Sequence, residues 1–405
     1  MISSFKIISC DLGPNIFWQD VVLSFKSILN FKKDGLEIIQ LEAAFAKKFN
    51  SQAISFNSGR SCQMAIISAL GLKRGDQVLL QAYTCVAVPD ACLWSGLIPI
   101  YVDIDPINLG LDPKDLEKKI TKNSKLLIIQ HTFGVPAKVE EILKIAKKHK
   151  LLVIEDCAHA TGVKYKDKYL GEYSDAAFFS FGRDKMLSSV YGGMVITKNE
   201  ALAEKIRAYK QSLDFPSNSW IILQLLYNPL AFLIVRSYKL FGLGKLVHFL
   251  AKRFNLFSKA VSEVEKEGHN PGYFPKKLPS VLARLALSQF GRIEMFNKIR
   301  QKNCKLYRTQ LSTLNLKLPD QNLVQLRFTI QTKDQDKLRA FAKQRDIYLD
   351  RWYDSPIAPI GTNLAAIGYK PGSCKVAEDI AKKSLNLPTN PNLYQAEIKK
   401  VISLV

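Results

Sequence analysis

Short apolar runs alternate with amphipathic stretches through the first half of the chain. Residues 53–56, 77–81, 98–102, 125–133, 151–154 and 176–179 are runs of this kind, each bounded by Gly, Asp, Asn, Lys or Ser. Such runs predict buried strands. Between them, residues 37–49, 62–70, 89–95 and 139–148 carry apolar positions at helical spacing, and Pro113 opens a polar helix over 112–120. A further strand at 194–197 leads into a helical stretch at 198–210. Strand and helix in strict alternation predict an α/β fold with a mostly parallel sheet covered by helices on both faces.

The pattern then breaks. Residues 219–235 carry no charge, and 236–257 are basic and rich in Phe and Leu. Gln224, Asn228 and Pro229 interrupt the apolar part, which reads as too short to span a bilayer. Two readings fit: an interfacial anchor for peripheral membrane contact through 219–257, or a helical hairpin packed on the domain or on a partner subunit. Residues 277–311 return to a helix with a wide apolar face. From about Leu314, strand-like 324–330 alternates with helical 334–345, 375–385 and 395–405. The chain therefore divides into an N-terminal arm and large domain (1–214), an apolar and basic helical insertion (215–276), and a smaller α+β C-terminal domain (277–405).

Charge adds one constraint. Lys and Arg outnumber Asp and Glu by 58 to 36, a net +22, so the surface attracts anions. The basic residues are dispersed and match no nucleic-acid motif, so no nucleic acid is expected as a partner. Seven cysteines without a CxxC pair predict reduced thiols and a cytoplasmic protein. The N-terminus lacks the basic and apolar regions of a signal peptide.

The chemistry concentrates between Leu151 and Gly193. The first strand there ends on Glu155 and Asp156, the second is followed by Ser180, and Lys185 stands before the Gly192-Gly193 pair. In open α/β sheets the carboxyl ends of strands hold the ligand. A carboxylate, a hydroxyl and a lysine at that edge suit a phosphorylated pyridine aldehyde, pyridoxal 5'-phosphate. Lys185 would bond the aldehyde and then carry protons. Asp156 would pair with the ring nitrogen, and His159 would meet the ring or its phenolic oxygen. Ser180 and the turn around Gly59 would hold the phosphate.

These segments resemble the DegT/DnrJ/EryC1/StrS aminotransferases over most of the chain. The resemblance is carried by NSGRSCQMAIISALGLKRGDQVLLQAYT, SGLIPIYVDIDPINLGLDP, EDCAHATG, SFGRDKMLSSVYGGMVIT and KVAEDIAKKSLNLPTNPNL. It implies a fold-type-I large domain, pyridoxal 5'-phosphate as cofactor, and Lys185 as the lysine bonded to it. Asp156, His159, Ser180, Gly59 and Arg60 fall on cofactor-binding positions. The resemblance further implies a homodimer with shared active sites, glutamate as amino donor, and a keto-sugar on a nucleotide or other anionic carrier as acceptor, in envelope polysaccharide or amino-sugar biosynthesis. Lys185 argues against the branch of the family that dehydrates.

Three positions depart from the family pattern. Arg60 replaces a small residue in the phosphate turn, where it would meet the phosphate or the substrate. Cys85 stands where a ring-stacking aromatic is usual, with Tyr83 two positions earlier. The loop whose Asn reaches the neighbouring subunit has only NPGYF (270–274) as a faint counterpart. Trp352 and Tyr353 fit the substrate side, the core or an interface equally. The departures leave a second class open, a regulatory or scaffold protein that binds the cofactor without turnover, and the net +22 leaves a third and weaker one, a basic nucleic-acid-binding protein.

Overall fold

A computed structural model describes residues 5–312 and 323–405. Its centre is a seven-stranded sheet: β1 (Gln52–Phe56), β2 (Gln77–Gln81), β3 (Ile98–Val102), β4 (Ser124–Gln130), β5 (Leu152–Asp156), β6 (Ala176–Ser180) and β7 (Gly193–Thr197). The strand order is β1-β7-β6-β5-β4-β2-β3. Only β7 runs against its neighbours, pairing antiparallel with both β6 and β1. The other ladders are parallel, so β1 and β6 end at the same edge as β5.

Apolar side chains of the sheet face both ways, which is why its strands read as near-continuous hydrophobic runs. Ile54, Phe56, Leu80, Ile154 and Phe178 pack into one layer. Helices α3 (Gly59–Ala69), α4 (Ala87–Trp94) and α6 (Glu200–Gln211) cover that side, while α5 (Val139–Lys148) packs beside β5. Phe179, Met194 and Ile196 face the other layer with Phe45, Phe49 and Phe290. That layer is built from α2 (Leu36–Phe49) and α9 (Ser280–Phe290).

One helix was not legible in the residue pattern: α1 (Trp18–Leu29). Its buried positions are Asp20, Val21, Ser24 and Ser27, while Trp18, Phe25 and Leu29 face outward. A helix with polar groups inward and apolar groups outward gives no periodic signal of the usual kind. Asp20 is held by Arg292 at 2.5 Å, which accounts for the buried charge.

The insertion is a helical hairpin. Helix α7 (Asn218–Ser237) continues through Pro229, so it is longer than the expectation of a short interrupted stretch. Its length and hydropathy meet the requirement for crossing a membrane, yet nearly half of it is buried inside the protein. Asn228 donates to Ser24 Oγ at 3.0 Å, and Gln224 Oε1 accepts from Ser258 Oγ at 2.7 Å. These buried polar pairs seat α7 on α1 and on the loop that follows α8 (Leu243–Arg253).

The expected helix over 277–311 is two, α9 and α10 (Ile293–Leu311), broken at Gly291. The expected helix over 375–385 stops at Ala381, and Ser384–Pro388 is a strand, β9, antiparallel to β8 (Arg327–Gln331). A strand with Leu385 and Leu387 inward packs with Phe328, Ile330 and Tyr307, and that burial overrides the local helical pattern. The start of the alternation expected from about Leu314 lies outside the described residues. Ile8–Ser9 pairs with Ile347–Tyr348, and Thr84–Cys85 pairs with Ile357–Ala358, so backbone ladders join the C-terminal domain to the arm and to the large domain.

Candidate active site

The carboxyl edge of the sheet opens into a pocket. All seven residues singled out in the sequence line it: Gly59, Arg60, Cys85, Asp156, His159, Ser180 and Lys185. The topology explains the convergence, because β1, β5 and β6 all terminate there and α3 begins there.

Ser58 caps α3, its Oγ accepting from the Ser61 N–H at 3.0 Å. The first turn of a helix leaves N–H groups without intrahelical partners, an anion-binding arrangement. Gly59 packs closely on β6: a Cβ there would press on Ser180 Cβ at 3.1 Å. The turn and Ser180 thus form one concave corner of the pocket.

At the other side, Asp156 is buried and takes the Ala158 N–H at 2.9 Å. Burial pushes its carboxyl up to about 6, against the pull of that N–H and of Lys185. Below it, Glu155 is fully buried and takes His131 at 3.0 Å together with the N–H groups of Gly171 and Tyr173. Burial opposes its ionisation, but these partners outweigh burial and hold it below the usual range. His131, Glu155 and Cys157 lie together like a metal trio, and the Glu155 oxygens are already satisfied by protein donors.

Lys185 Nζ lies 2.8 Å from His159 Nε2. His159 Nδ1 faces the Phe133 N–H at 3.2 Å, and Nε2 faces the amine. Burial, reinforced by Lys185 and Arg327, holds His159 well below the ordinary imidazole range. The imidazole stacks between Phe133 at 5.5 Å and Trp352 at 5.7 Å.

Trp352 enters from the C-terminal domain. Lys185 Nζ lies 4.6 Å from its ring centre and the Arg327 guanidinium 3.9 Å. Arg327 is fully buried and paired with Asp11, Asp350 and, at 3.6 Å, Asp184. Tyr83 does not reach the pocket: it is buried, and its hydroxyl meets the Trp352 carbonyl and Ser384 Oγ. Cys85 does line it, and burial pushes its thiol up.

Arg60, expected to meet the phosphate or the substrate, lines the pocket while engaged by the protein itself. Its Nε lies 2.8 Å from Glu265, a fully buried carboxylate from the insertion, and its guanidinium covers Phe274 at 4.9 Å. Asp90 lies close by, pushed up to about 8 by burial and by Glu265. Sequence reasoning missed the segment that roofs this side. Arg60 donates to the Ala260 carbonyl at 2.6 Å, Tyr191 to the Lys259 carbonyl at 2.6 Å, and Arg183 to Ser258 Oγ at 2.8 Å. No local pattern announces a strap held by three pocket-wall side chains. Asn270 of NPGYF is tied to its own turn, donating to the Phe274 carbonyl at 2.9 Å.

Comparisons with known proteins agree with this architecture. The family model for the DegT/DnrJ/EryC1/StrS aminotransferases matches residues 22–214 and 248–405. A pleiotropic regulatory protein of Geobacillus stearothermophilus is 28% identical over 90% of this chain and 87% of its own length. A UDP-N-acetyl-3-dehydro-alpha-D-glucosamine 3-aminotransferase of Acidithiobacillus ferrooxidans is 26% identical over 86% of this chain and 82% of its own. The GDP-perosamine synthase of Escherichia coli O157:H7 is 36% identical over 46% of this chain, and the match spans 52% of that enzyme. Among solved structures, DesV of S. venezuelae in complex with a ketimine intermediate has a TM-score of 0.73 at 25% identity, covering 95% of this chain and 93% of that one. The ntda protein of Bacillus subtilis with bound cofactor PMP has a TM-score of 0.76 at 23% identity, covering 99% of this chain and 84% of that one.

Proposed function

Because the chain belongs to the DegT/DnrJ/EryC1/StrS aminotransferase family, whose cofactor is pyridoxal 5'-phosphate, we propose that it aminates a keto-sugar carried on a nucleotide. Glutamate is the proposed donor, and envelope or surface polysaccharide biosynthesis the proposed setting. One observation carries the reading: Lys185, Asp156, Ser180 and the Gly59 turn share one pocket.

The residues present fit the cofactor. A buried carboxyl pushed up to about 6 is what a cationic ring nitrogen would relieve, and the glycine-lined corner beside Ser180 leaves room for a phosphate. When bound, pyridoxal phosphate supplies an electron sink. In our reading Asp156 would pair with the ring nitrogen, and Ser180 with the first turn of α3 would hold the phosphate. Lys185 would be the residue that holds the aldehyde end, and its Nζ the atom that carries a proton. His159 orients that amine from 2.8 Å while staying neutral. Trp352 and the 258–260 strap keep water from the reacting side.

A nucleotide carrier is supported by the net +22, which favours a diphosphate. The names of the Acidithiobacillus and Escherichia relatives support a nucleotide sugar as substrate. A homodimer is supported by the exposed apolar strip of Trp18, Phe25, Leu29, Leu36 and Ile39 on α1 and α2, which suits a second copy.

The decisive experiment incubates the purified protein with pyridoxal phosphate, glutamate and a panel of keto-sugar nucleotides, read by mass spectrometry. The expected product has a nitrogen in place of the keto oxygen, with 2-oxoglutarate formed in equal amount. A panel with no such product and no 2-oxoglutarate would overturn the reading.

A further inference from the structure

Helix α8 is amphipathic in the wrong sense for a soluble protein. It docks on α7 through its small residues. Gly244 and Ala251 are buried, and a Cβ on Gly244 would come within 2.6 Å of both the Ile234 carbonyl oxygen and Tyr238 Cα. Its apolar stripe points the other way. Leu243, Leu246, Phe249 and Leu250 are exposed, as are Phe241 before the helix and Phe254 after it. An apolar stripe on a surface helix ordinarily faces the core. Exposed together, these groups mark an interaction surface.

The charges around the stripe identify the partner. Residues 215–262 contain no Asp or Glu and six cations, Arg236, Lys239, Lys245, Lys252, Arg253 and Lys259. Lys239 and Lys259 find acids outside this segment, Asp346 and Glu263, whereas Lys245, Lys252 and Arg253 stand exposed along α8 itself. A second copy seated on this face is disfavoured. A two-fold interface sets the same patch against itself, which would bring these cations together with no acid in the segment to separate them. Leu and Phe side chains flanked by Lys245 and Lys252, with Arg253 at the end of the stripe, complement an anionic lipid surface, where the apolar groups enter the headgroup boundary and the cations meet phosphate. The family match leaves out residues 215–247, so α7 and the start of α8 lie outside the frame common to the family.

We propose that α8, with Phe241 and Phe254 at its ends, docks the enzyme on the surface of an anionic phospholipid membrane, while α7 stays packed on α1. The enzyme would then act beside the membrane rather than in it.

The test is flotation of the full-length, cofactor-loaded protein with vesicles. Phosphatidylcholine vesicles containing phosphatidylglycerol are compared with phosphatidylcholine alone, at low and high salt. The expected result is co-flotation with the anionic vesicles only, falling at least about tenfold at high salt. The double variant Leu246→Glu/Phe249→Glu should lose flotation by at least about tenfold while keeping its bound-cofactor absorbance and its mass by light scattering. Lys245→Glu/Lys252→Glu should weaken flotation without touching the apolar groups. Absence of flotation, flotation indifferent to the two double variants, or a change in oligomeric mass with the apolar variant would overturn the proposal. The last outcome would assign the face to a contact between copies.

Discussion

His159 and Lys185 sit 26 residues apart in sequence, and their nitrogens lie 2.8 Å apart in space. The contact closes because β5 and β6 are adjacent and parallel, so the residues after each strand turn into the same pocket. The Phe133 N–H on Nδ1 determines which imidazole nitrogen faces the amine. The stack between Phe133 and Trp352 keeps the ring from turning away.

Replacing Lys185 with Ala removes both the covalent attachment and the proton carrier in the proposed mechanism. Amination should fall by at least about 10³-fold, the middle of the range for a general acid–base group. The absorbance band of lysine-bound cofactor should vanish, while free cofactor still binds through Ser180 and Asp156. Difference spectroscopy with and without dialysis checks both parts.

Asp156 gives a prediction with a sign. Its carboxyl is pushed from 3.8 up to about 6 in the cofactor-free protein, mainly by burial. Between those values the folded state holds a proton that the unfolded chain has released. The associated stability is whole below the ordinary value and is lost as pH rises through about 6. Pairing with a cationic ring nitrogen ionises the group, so cofactor binding must expel that proton below about pH 6. Cofactor affinity should therefore weaken as pH falls through this window. Asp156→Asn should bind cofactor about tenfold to a hundredfold more weakly and lose most of that pH dependence. Fluorescence titrations at several pH values read both.

The Arg60–Glu265 pair is buried, with the two side chains 9% and 0% exposed. Removing one partner strands the other, which costs about 3–5 kcal/mol. Glu265→Ala should lower the melting temperature strongly, and the double variant Arg60→Ala/Glu265→Ala should be less destabilised than the two single changes added together. Thermal melts of the four proteins give the coupling directly. A coupling near zero would mean that the strap is held by its carbonyl contacts alone.

Trp352→Ala removes the ring that lies against both Lys185 and Arg327. A desolvated cation over an indole contributes about 2 kcal/mol, so a loss of roughly tenfold or more in kcat/KM is expected. The cofactor band should persist, since the cofactor-holding groups proposed here lie on the large domain. Steady-state kinetics alongside absorbance separate the two effects.

Several elements were legible because their side chains are sorted by local physics. Gln77–Gln81, Ile98–Val102 and Val139–Lys148 appear at the predicted positions, since each is an apolar run or stripe with polar residues at its ends. Helix α1 was hidden because three of its four buried positions are polar, Asp20, Ser24 and Ser27, with Asp20 and Ser24 met by Arg292 and Asn228 from distant segments. Ser384 and Leu385 read as the end of a helix because the pairing of Ser384–Pro388 with Arg327–Gln331 is a long-range matter.

The alternation of apolar runs along the chain by itself determined the fold class, motifs spread from the Gly59 turn to the C-terminal segment pointed to the family, and Leu151–Gly193 marked the edge of the sheet where the chemistry gathers. Strand-end carboxylates, hydroxyls and lysines are tied to their strands by a few peptide bonds, so spacing alone carries that information. Only the tertiary structure decided what surrounds them. It set Trp352 over His159 and Lys185, turned Arg60 toward Glu265 and drew the 258–260 strap across the pocket. It also divided the insertion into a helix packed on α1 and a helix with its apolar stripe outward. These partners are far apart along the chain, and which of them meet depends on how whole layers pack, a choice that no local periodicity encodes.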